Sequence, residues 1–240
     1  MIDIIYRVCE NETDGNFKDC RPIWFNKLNC LKSFLTSVTY AGNNVDKLFF
    51  LHDGPEGILF DYISNCKIKS ENIKTDFRDQ YQSLYMAVEI ADELNRKSDN
   101  DIYFIEDDYL HKSDSVSKLS KAVKTFGLVT GYDHLYRYIP TNPPDADYPL
   151  KIVFDSETNL HWRTTESTTH SWLTRSDIYK TVSKELKTYG PWDIGLFIEL
   201  HKQGIPLWSP MPGLTTQVDN LMSPGIEWEK FNNEIQNFST

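Results

Sequence analysis

Residues 101–110 read Asp-Ile-Tyr-Phe-Ile-Glu-Asp-Asp-Tyr-Leu, and this stretch decides the predicted fold. Its apolar run at 102–105 is rich in β-branched and aromatic residues, which is typical of a buried strand in a parallel sheet. Three carboxylates follow at once: Glu106, Asp107 and Asp108. A sheet interior does not bury three unpaired negative charges, because desolvation and mutual repulsion both oppose it. The triplet is therefore expected at the strand's carboxyl end, beside the crevice where open α/β sheets bind ligands.

The acidic triplet has two competing interpretations. A hard divalent cation would offset the repulsion, because such ions prefer carboxylate oxygens. The alternative is a solvated acidic turn that closes the strand, and this would be the preferred explanation for an isolated triplet. We favour the metal hypothesis because the triplet directly follows an apolar strand.

The first half of the chain alternates strand and helix patterns. Strands are predicted at 2–8, 48–51, 66–69, 101–105 and 128–131. Helices with apolar residues at three- and four-residue spacing are predicted from Pro22, over 77–95 and around 116–126. This alternation predicts crossover units, and therefore a mostly parallel central sheet with helices on both faces.

The second half of the chain has a different pattern. Residues 151–154 and 160–164 flank a polar turn and predict a hairpin, and 167–173 reads as a Thr-rich strand. A small antiparallel element is therefore expected over 150–175. Helices are predicted to begin at Ser176 and Pro191, a short strand lies at 207–208, and residues 232–240 are expected to fray.

Composition limits the function classes. With 240 residues the chain suits one α/β domain, and its net charge of −10 argues against a protein that grips a nucleic-acid backbone. No apolar run is long enough to span a bilayer, and no signal peptide is expected. The four cysteines lack CxxC spacing, which predicts reduced thiols and a cytoplasmic protein.

Several segments together resemble the nucleotide-sugar-dependent glycosyltransferases of the GT-A fold. Residues 103–110 resemble that family's DxD-type motif, and 190–196 are similar to its acidic helix start. The remaining similar segments, two of them shared with a bacterial and viral subgroup, are 131–134, 161–169 and 210–217. The first motif position is Glu106 instead of Asp, and Gln217 stands where many members carry a metal-binding His.

The resemblance implies a GT-A-like domain over 1–230, with a tail at 231–240. Its nucleotide-binding half would span 1–135 and its acceptor-binding half 136–230. The implied function is metal-dependent transfer of a sugar from a UDP- or GDP-linked donor to a hydroxyl of a glycan or other acceptor, with inversion. Mn²⁺ or Mg²⁺ would be bound mainly by Asp108. Glu106 and Asp107 would contact the ion through water or support Asp108 from the second coordination shell.

Other candidate donor-site residues lie near the ends of the first strands. Tyr6 or Arg7 would face the base or a phosphate, and Asp53 the base or ribose. Taken alone, Asp53 is better explained as a turn-forming residue before Gly54. Arg78 is a candidate phosphate ligand, with a surface arginine as the equal alternative.

On the acceptor side, Asp193 is the candidate general base, because the first turn of a helix keeps a carboxylate ionised. The alternative is that Asp193 only caps that helix. Asp133 and Glu166 are reserve candidates, whereas His134 and His170 are more simply explained as hydrogen-bonded. For the tryptophans at 162, 172 and 192, core packing is the safer interpretation and an acceptor platform the alternative.

Two other function classes fit the same sequence features. A metal-dependent nucleotidyltransferase or phosphoesterase would use the acidic strand end, but it usually needs more ligands to hold two metals. A noncatalytic carbohydrate-binding protein would explain the aromatic residues but not the crossover units.

Overall fold

A computed structural model describes residues 1–10, 21–139 and 148–235. Its main sheet has nine strands: β1 (Ile2–Val8), β2 (Val45–Asp53), β3 (Glu71–Thr75), β4 (Asp101–Glu106), β6 (Leu128–Val129), β7 (Ile152–Asp155), β8 (Leu160–Thr165), β9 (Trp172–Thr174) and β10 (Leu207–Met211). Their spatial order is β3-β2-β1-β4-β9-β6-β10-β8-β7. Two further strands, β5 (Tyr109–His111) and β11 (Thr215–Gln217), pair antiparallel in a separate small sheet.

The main sheet is mixed but mostly parallel. β1 pairs parallel with β2 and β4, β2 with β3, and β6 with β10. Of the strands described in this sheet, only β8 and β9 run against the others. The sequence prediction of a mostly parallel sheet is confirmed. The antiparallel strands expected over 150–175 are present, but they extend the main sheet instead of forming a separate element.

Helices cover both faces of the sheet, as predicted. The described helices are α1 (Lys27–Ala41), α2 (Ile58–Ser64), α3 (Gln80–Lys97), α4 (Ser115–Phe126), α5 (Tyr179–Tyr189), α6 (Asp193–Lys202) and α7 (Trp228–Ile235). One core cluster joins α1, α2 and α4 to Ile4 and Tyr6 of β1, and the other joins α3, α5 and α6 to Ile5. Successive β1 side chains therefore enter opposite cores, as strand geometry requires. None of the described helices is long and apolar enough to cross a membrane.

Several predicted boundaries were wrong. The strand placed at 66–69 lies instead at Glu71–Thr75, because the chain turns after α2 and reaches β2 only from Glu71 onward. The helix predicted from Pro22 begins at Lys27, where the Asn26 side chain accepts from the Asn29 amide. Residues 232–235 belong to α7, which buries Trp228 and Ile235, and 236–240 lie outside the described residues.

The strand predicted over 167–173 is also wrong for most of its length, since only Trp172–Thr174 pair. Thr169 and His170 have φ angles of 47° and 66°, in the left-handed region that β-strands do not use. Residues 167–169 instead donate hydrogen bonds to Asp193, which lies at the start of α6.

The topology brings the candidate chemistry to one edge. β1, β2 and β4 are parallel, so their carboxyl ends meet at Val8, Asp53 and Glu106. α1 returns antiparallel to these strands, which places its first residue, Lys27, at the same edge. The predicted position of the acidic triplet, at the end of a central strand, is confirmed by β4.

Candidate functional site

Glu106, the last residue of β4, pairs with Arg7 of β1. Arg7 is itself held from α3: its Nε donates to Ser83 Oγ over 3.2 Å, and its Nη2 donates to the Gln80 carbonyl over 2.8 Å. Burial raises the pKa of the Glu106 carboxyl to about 7, Asp108 and Asp107 add to the rise, and Arg7 opposes it. The pair therefore fixes α3 to the carboxyl edge of the sheet.

Asp107 lies in the turn after β4 and is buried. Its Oδ2 accepts from the Cys9 amide at 2.8 Å and from Lys27 Nζ at 3.0 Å. Lys27 Nζ also donates to the Cys9 carbonyl over 3.0 Å. Asp107 thus ties together the end of β1, the start of α1 and the end of β4.

Asp108 is buried beside Asp107 but is paired differently. Its Oδ2 accepts from Arg21 Nη2 at 2.5 Å and from Gln217 Nε2 at 2.9 Å. Its Oδ1 is buried and has no hydrogen-bond partner among the described residues. A buried carboxylate oxygen without a donor is costly, so this atom is an unexplained polar group of the site.

The site can be tested for its fit to a divalent cation. Within residues 1–10, 21–139 and 148–235, no group of three or more His, Cys, Asp or Glu side chains is arranged to hold a metal ion. Asp108 Oδ1 is nevertheless an unpaired carboxylate oxygen, the type of ligand that Mg²⁺ and Mn²⁺ prefer. A cation that takes one protein carboxylate and completes its shell with substrate phosphates and water fits this donor set.

Asp193 begins α6, and one of its two carboxylate oxygens holds residues 167–169. Oδ2 accepts from Ser167 Oγ at 2.7 Å, from the Thr169 amide at 2.9 Å and from the Thr168 amide at 3.1 Å. The hydrogen bonds that this carboxylate accepts from described residues all go to Oδ2, and Oδ1 is not among the buried polar atoms that lack a partner. The carboxylate is therefore fixed in position by one oxygen and open at the other.

His170 interacts electrostatically with both acidic residues, Asp193 and Asp108, and with Arg7. Its Nε2 is 3.0 Å from the Pro191 carbonyl oxygen, which can only accept, so Nε2 carries the proton. Nδ1 is left buried and unpartnered within the described chain. Burial lowers the pKa of the imidazole, which keeps it neutral at pH 7.

The reserve candidates Asp133 and Glu166 are neutralised by arginines. Asp133 accepts from Arg163 Nη2 at 2.7 Å and from the Tyr138 hydroxyl at 2.7 Å. Glu166 pairs with Arg137, and the side chains of both residues are 9% exposed. These pairs explain both carboxylates as structural parts of the second half of the sheet.

Three predicted donor-site residues have other contacts. Tyr6 is fully buried and stacks on Phe34 at 4.7 Å between ring centroids, so its ring does not reach the surface of the carboxyl edge. Asp53 Oδ1 accepts from the Phe77 amide at 2.7 Å and from Thr75 Oγ1 at 3.0 Å, which is the turn-forming role. Arg78 is exposed and pairs with Asp76.

The structure separates the tryptophans that the sequence grouped together. Trp162 and Trp172 are buried in the two core clusters, whereas Trp192 is exposed beside Asp193.

A cleft of about 680 Å³ lies elsewhere, between α7 and Trp24, and none of the candidate site residues lines it.

Sequence reasoning missed the cations that accompany the triplet. Arg21 and Lys27 lie 87 and 80 residues before their carboxylate partners. A usable signal was present for Lys27. In a crossover unit, the helix that follows a strand begins at the carboxyl edge of the parallel sheet, so the first residues of the helix after β1 lie near the acidic triplet. For His170 no sequence pattern indicated an unpaired ring nitrogen.

The comparisons with known proteins give no assignment: no family model matches the chain, and no curated protein sequence matches it significantly.

Proposed function

We propose that this protein is a metal-dependent glycosyltransferase that moves a sugar from a UDP- or GDP-linked donor to a hydroxyl of a glycan or glycoconjugate. The observation that carries the proposal is that two half-satisfied carboxylates, Asp108 and Asp193, both interact electrostatically with His170. Asp108 keeps one buried oxygen without a donor, and Asp193 keeps one open oxygen. The mostly parallel sheet, with the first of these at the end of a central strand, is compatible with a GT-A-like fold.

The donor's diphosphate would bind at the triplet. Each of the three carboxylates of residues 106–108 pairs with a cation: Arg7, Lys27 or Arg21. The negative charge of the triplet is therefore balanced, and it would not repel a diphosphate. Mn²⁺ or Mg²⁺ held by Asp108 would supply a Lewis acid for the departing diphosphate. Gln217 and Arg21 orient Asp108 through its other oxygen.

The acceptor would react beside Asp193. The acceptor's hydroxyl oxygen forms the new bond to the anomeric carbon of the donor sugar, while the bond from that carbon to the diphosphate oxygen breaks. The hydroxyl proton passes to Asp193 Oδ1, and the nucleoside diphosphate leaves. One base on the acceptor side suffices for this single displacement, so the anomeric configuration inverts.

The competing hypotheses predict different products. A nucleotidyltransferase or phosphoesterase acting at the same acidic edge would break a phosphoanhydride or phosphodiester bond. A noncatalytic carbohydrate-binding protein would release nothing. Only the glycosyltransferase releases nucleoside diphosphate together with a new glycosidic bond.

The test is a turnover screen of UDP- and GDP-linked sugars with Mn²⁺ and a set of oligosaccharide acceptors. We expect release of UDP or GDP that depends on the acceptor, and product NMR should show an inverted anomeric centre. Asp108→Asn should abolish the signal, and Asp177→Asn, on an exposed ion pair with Arg175, is the matched control. Release of nucleoside monophosphate would instead favour the phosphoesterase or nucleotidyltransferase.

A further inference from the structure

Three exposed aromatic side chains lie on the two helices that flank the candidate site. Trp192, which precedes α6, is 62% exposed, and Tyr81 and Tyr85 of α3 are 49% and 42% exposed. Most of the other large rings of the described chain are buried. A single exposed ring needs no explanation, but several exposed rings that lie together mark a candidate binding surface.

The indole of Trp192 presents an open flat face. A methyl group placed on Gly195 would lie 2.4, 2.6 and 2.8 Å from the indole atoms Cε3, Cζ3 and Cδ2. Three ring atoms at such similar distances mean that the ring lies face-on against the backbone of the first turn of α6. Because one face is covered and the side chain is mostly exposed, the opposite face points to solvent.

Tyr85 continues this surface across to α3. Its hydroxyl lies 3.4 Å from the position that a Cβ would take on Gly190, which is two residues before Trp192. The ring of Tyr189 lies 6.0 Å from the Trp192 ring, between centroids. Tyr81 is one helical turn before Tyr85 and therefore on the same face of α3. We call Tyr81, Tyr85 and Trp192 the aromatic surface.

The aromatic surface adjoins an acidic group. Asp193 follows Trp192 directly, and its Oδ1 has no hydrogen-bond partner among the described residues. A flat apolar face next to an open carboxylate oxygen matches a pyranose, which has C–H groups on one face and hydroxyls at its rim.

The size of the surface argues for a small ligand. An aromatic side chain has about 200 Å² of surface, so half-exposure of three such rings offers on the order of 300 Å². A stable interface between two proteins buries roughly 800 Å² on each partner. The aromatic surface is thus too small for a second copy of the chain, and it suits one or two sugar rings.

We propose that the aromatic surface is the acceptor subsite, where a pyranose stacks on Trp192 and directs a hydroxyl to Asp193 Oδ1. This inference rests on the proposed function, because it assigns the acceptor of that reaction to a carbohydrate and not to a lipid or protein hydroxyl.

Two variants distinguish the presence of the Trp192 ring from its position. Gly195→Ala keeps the tryptophan but displaces its ring, and alanine is the better helix former, so the fold should be retained. Trp192→Ala removes the ring. Tyr40→Ala is the matched control, since Tyr40 is 64% exposed near the end of α1, away from the carboxyl edge. Thermal melting by circular dichroism checks that each variant is folded.

The experiment measures binding without turnover. Wild type and the variants are applied to an oligosaccharide array, and hits are titrated by saturation-transfer NMR and by protection of tryptophan fluorescence from iodide. We expect wild type and Tyr40→Ala to bind a common set of glycans, and Gly195→Ala and Trp192→Ala to lose at least tenfold in affinity. UDP or GDP affinity should be the same in all four proteins.

Three outcomes overturn the inference: no glycan binds wild type, the Trp192 and Gly195 variants bind unchanged, or sedimentation shows a dimer that Trp192→Ala dissociates. Failure of the proposed function looks different. In that case no nucleotide sugar binds or turns over, while the array result still decides whether the aromatic surface binds sugar.

Discussion

Two groups of acidic residues in this protein contrast in how completely they are paired. Asp133 and Glu166, in the second half of the sheet, face buried arginines, and both oxygens of Asp133 accept hydrogen bonds. Asp108 and Asp193 are each fixed by donors on one oxygen only. Burial alone does not distinguish the groups, because Asp108 and Asp133 are both buried. From this difference we infer that an incompletely satisfied carboxylate is a better indicator of a ligand site than an acidic residue near a strand end as such.

The largest effect is expected where an open oxygen is proposed to act in the reaction. Asp193→Asn should lower kcat by roughly 10²–10⁴-fold, because the amide cannot accept the acceptor's proton. Its oxygen can still accept from Ser167 and the amides at 168 and 169, so donor affinity should not change. Steady-state kinetics and donor titrations measure the two quantities. Full turnover in this variant would rule out Asp193 as the general base.

The paired group should respond in stability instead. Asp133→Ala leaves the Arg163 guanidinium buried without its partner, and the free energy of unfolding should fall by about 3–5 kcal/mol. Asp177→Ala breaks an exposed pair and should cost about 0–1 kcal/mol. Urea denaturation at pH 7 compares the two. Equal, small losses would mean that the Asp133 pair does not stabilise the fold, and that Asp133 does not differ in role from Asp108 and Asp193.

Sequence patterns predicted part of this arrangement well. The apolar run before Glu106 indicated a central strand, and the alternation of strands and helices indicated the mostly parallel sheet, because both signals are local. The pairing of Arg21 with Asp108, or of Arg163 with Asp133, depends on segments far apart in the chain. Left-handed Thr169 and His170 were also unpredictable, since the contacts that accompany this conformation are with distant residues: the Thr169 amide donates to Asp193, and His170 Nε2 donates to the Pro191 carbonyl.

A smaller effect is expected in the pH dependence of stability. The Glu106 carboxyl has an ordinary pKa of 4.5 and a pKa of about 7 when folded. Between these values the folded state binds more protons than the unfolded state, so this group makes stability fall as the pH rises from 4.5 to 7. Glu106→Gln should lack that contribution. Urea midpoints at pH 5 and pH 7.5 should therefore decline less in the variant than in wild type; an equal or steeper decline would contradict the assigned pKa.

The central claim is that Asp108 holds a cation together with a nucleoside diphosphate. Calorimetric titration of UDP and GDP, with and without Mn²⁺, into wild type and Asp108→Asn tests this claim most directly. We predict that one nucleotide binds wild type at least tenfold more tightly with Mn²⁺, that Mn²⁺ alone binds weakly, and that the variant shows no Mn²⁺ dependence. Equal Mn²⁺-dependent affinity in wild type and variant, or no binding of either nucleotide to wild type, would contradict the account.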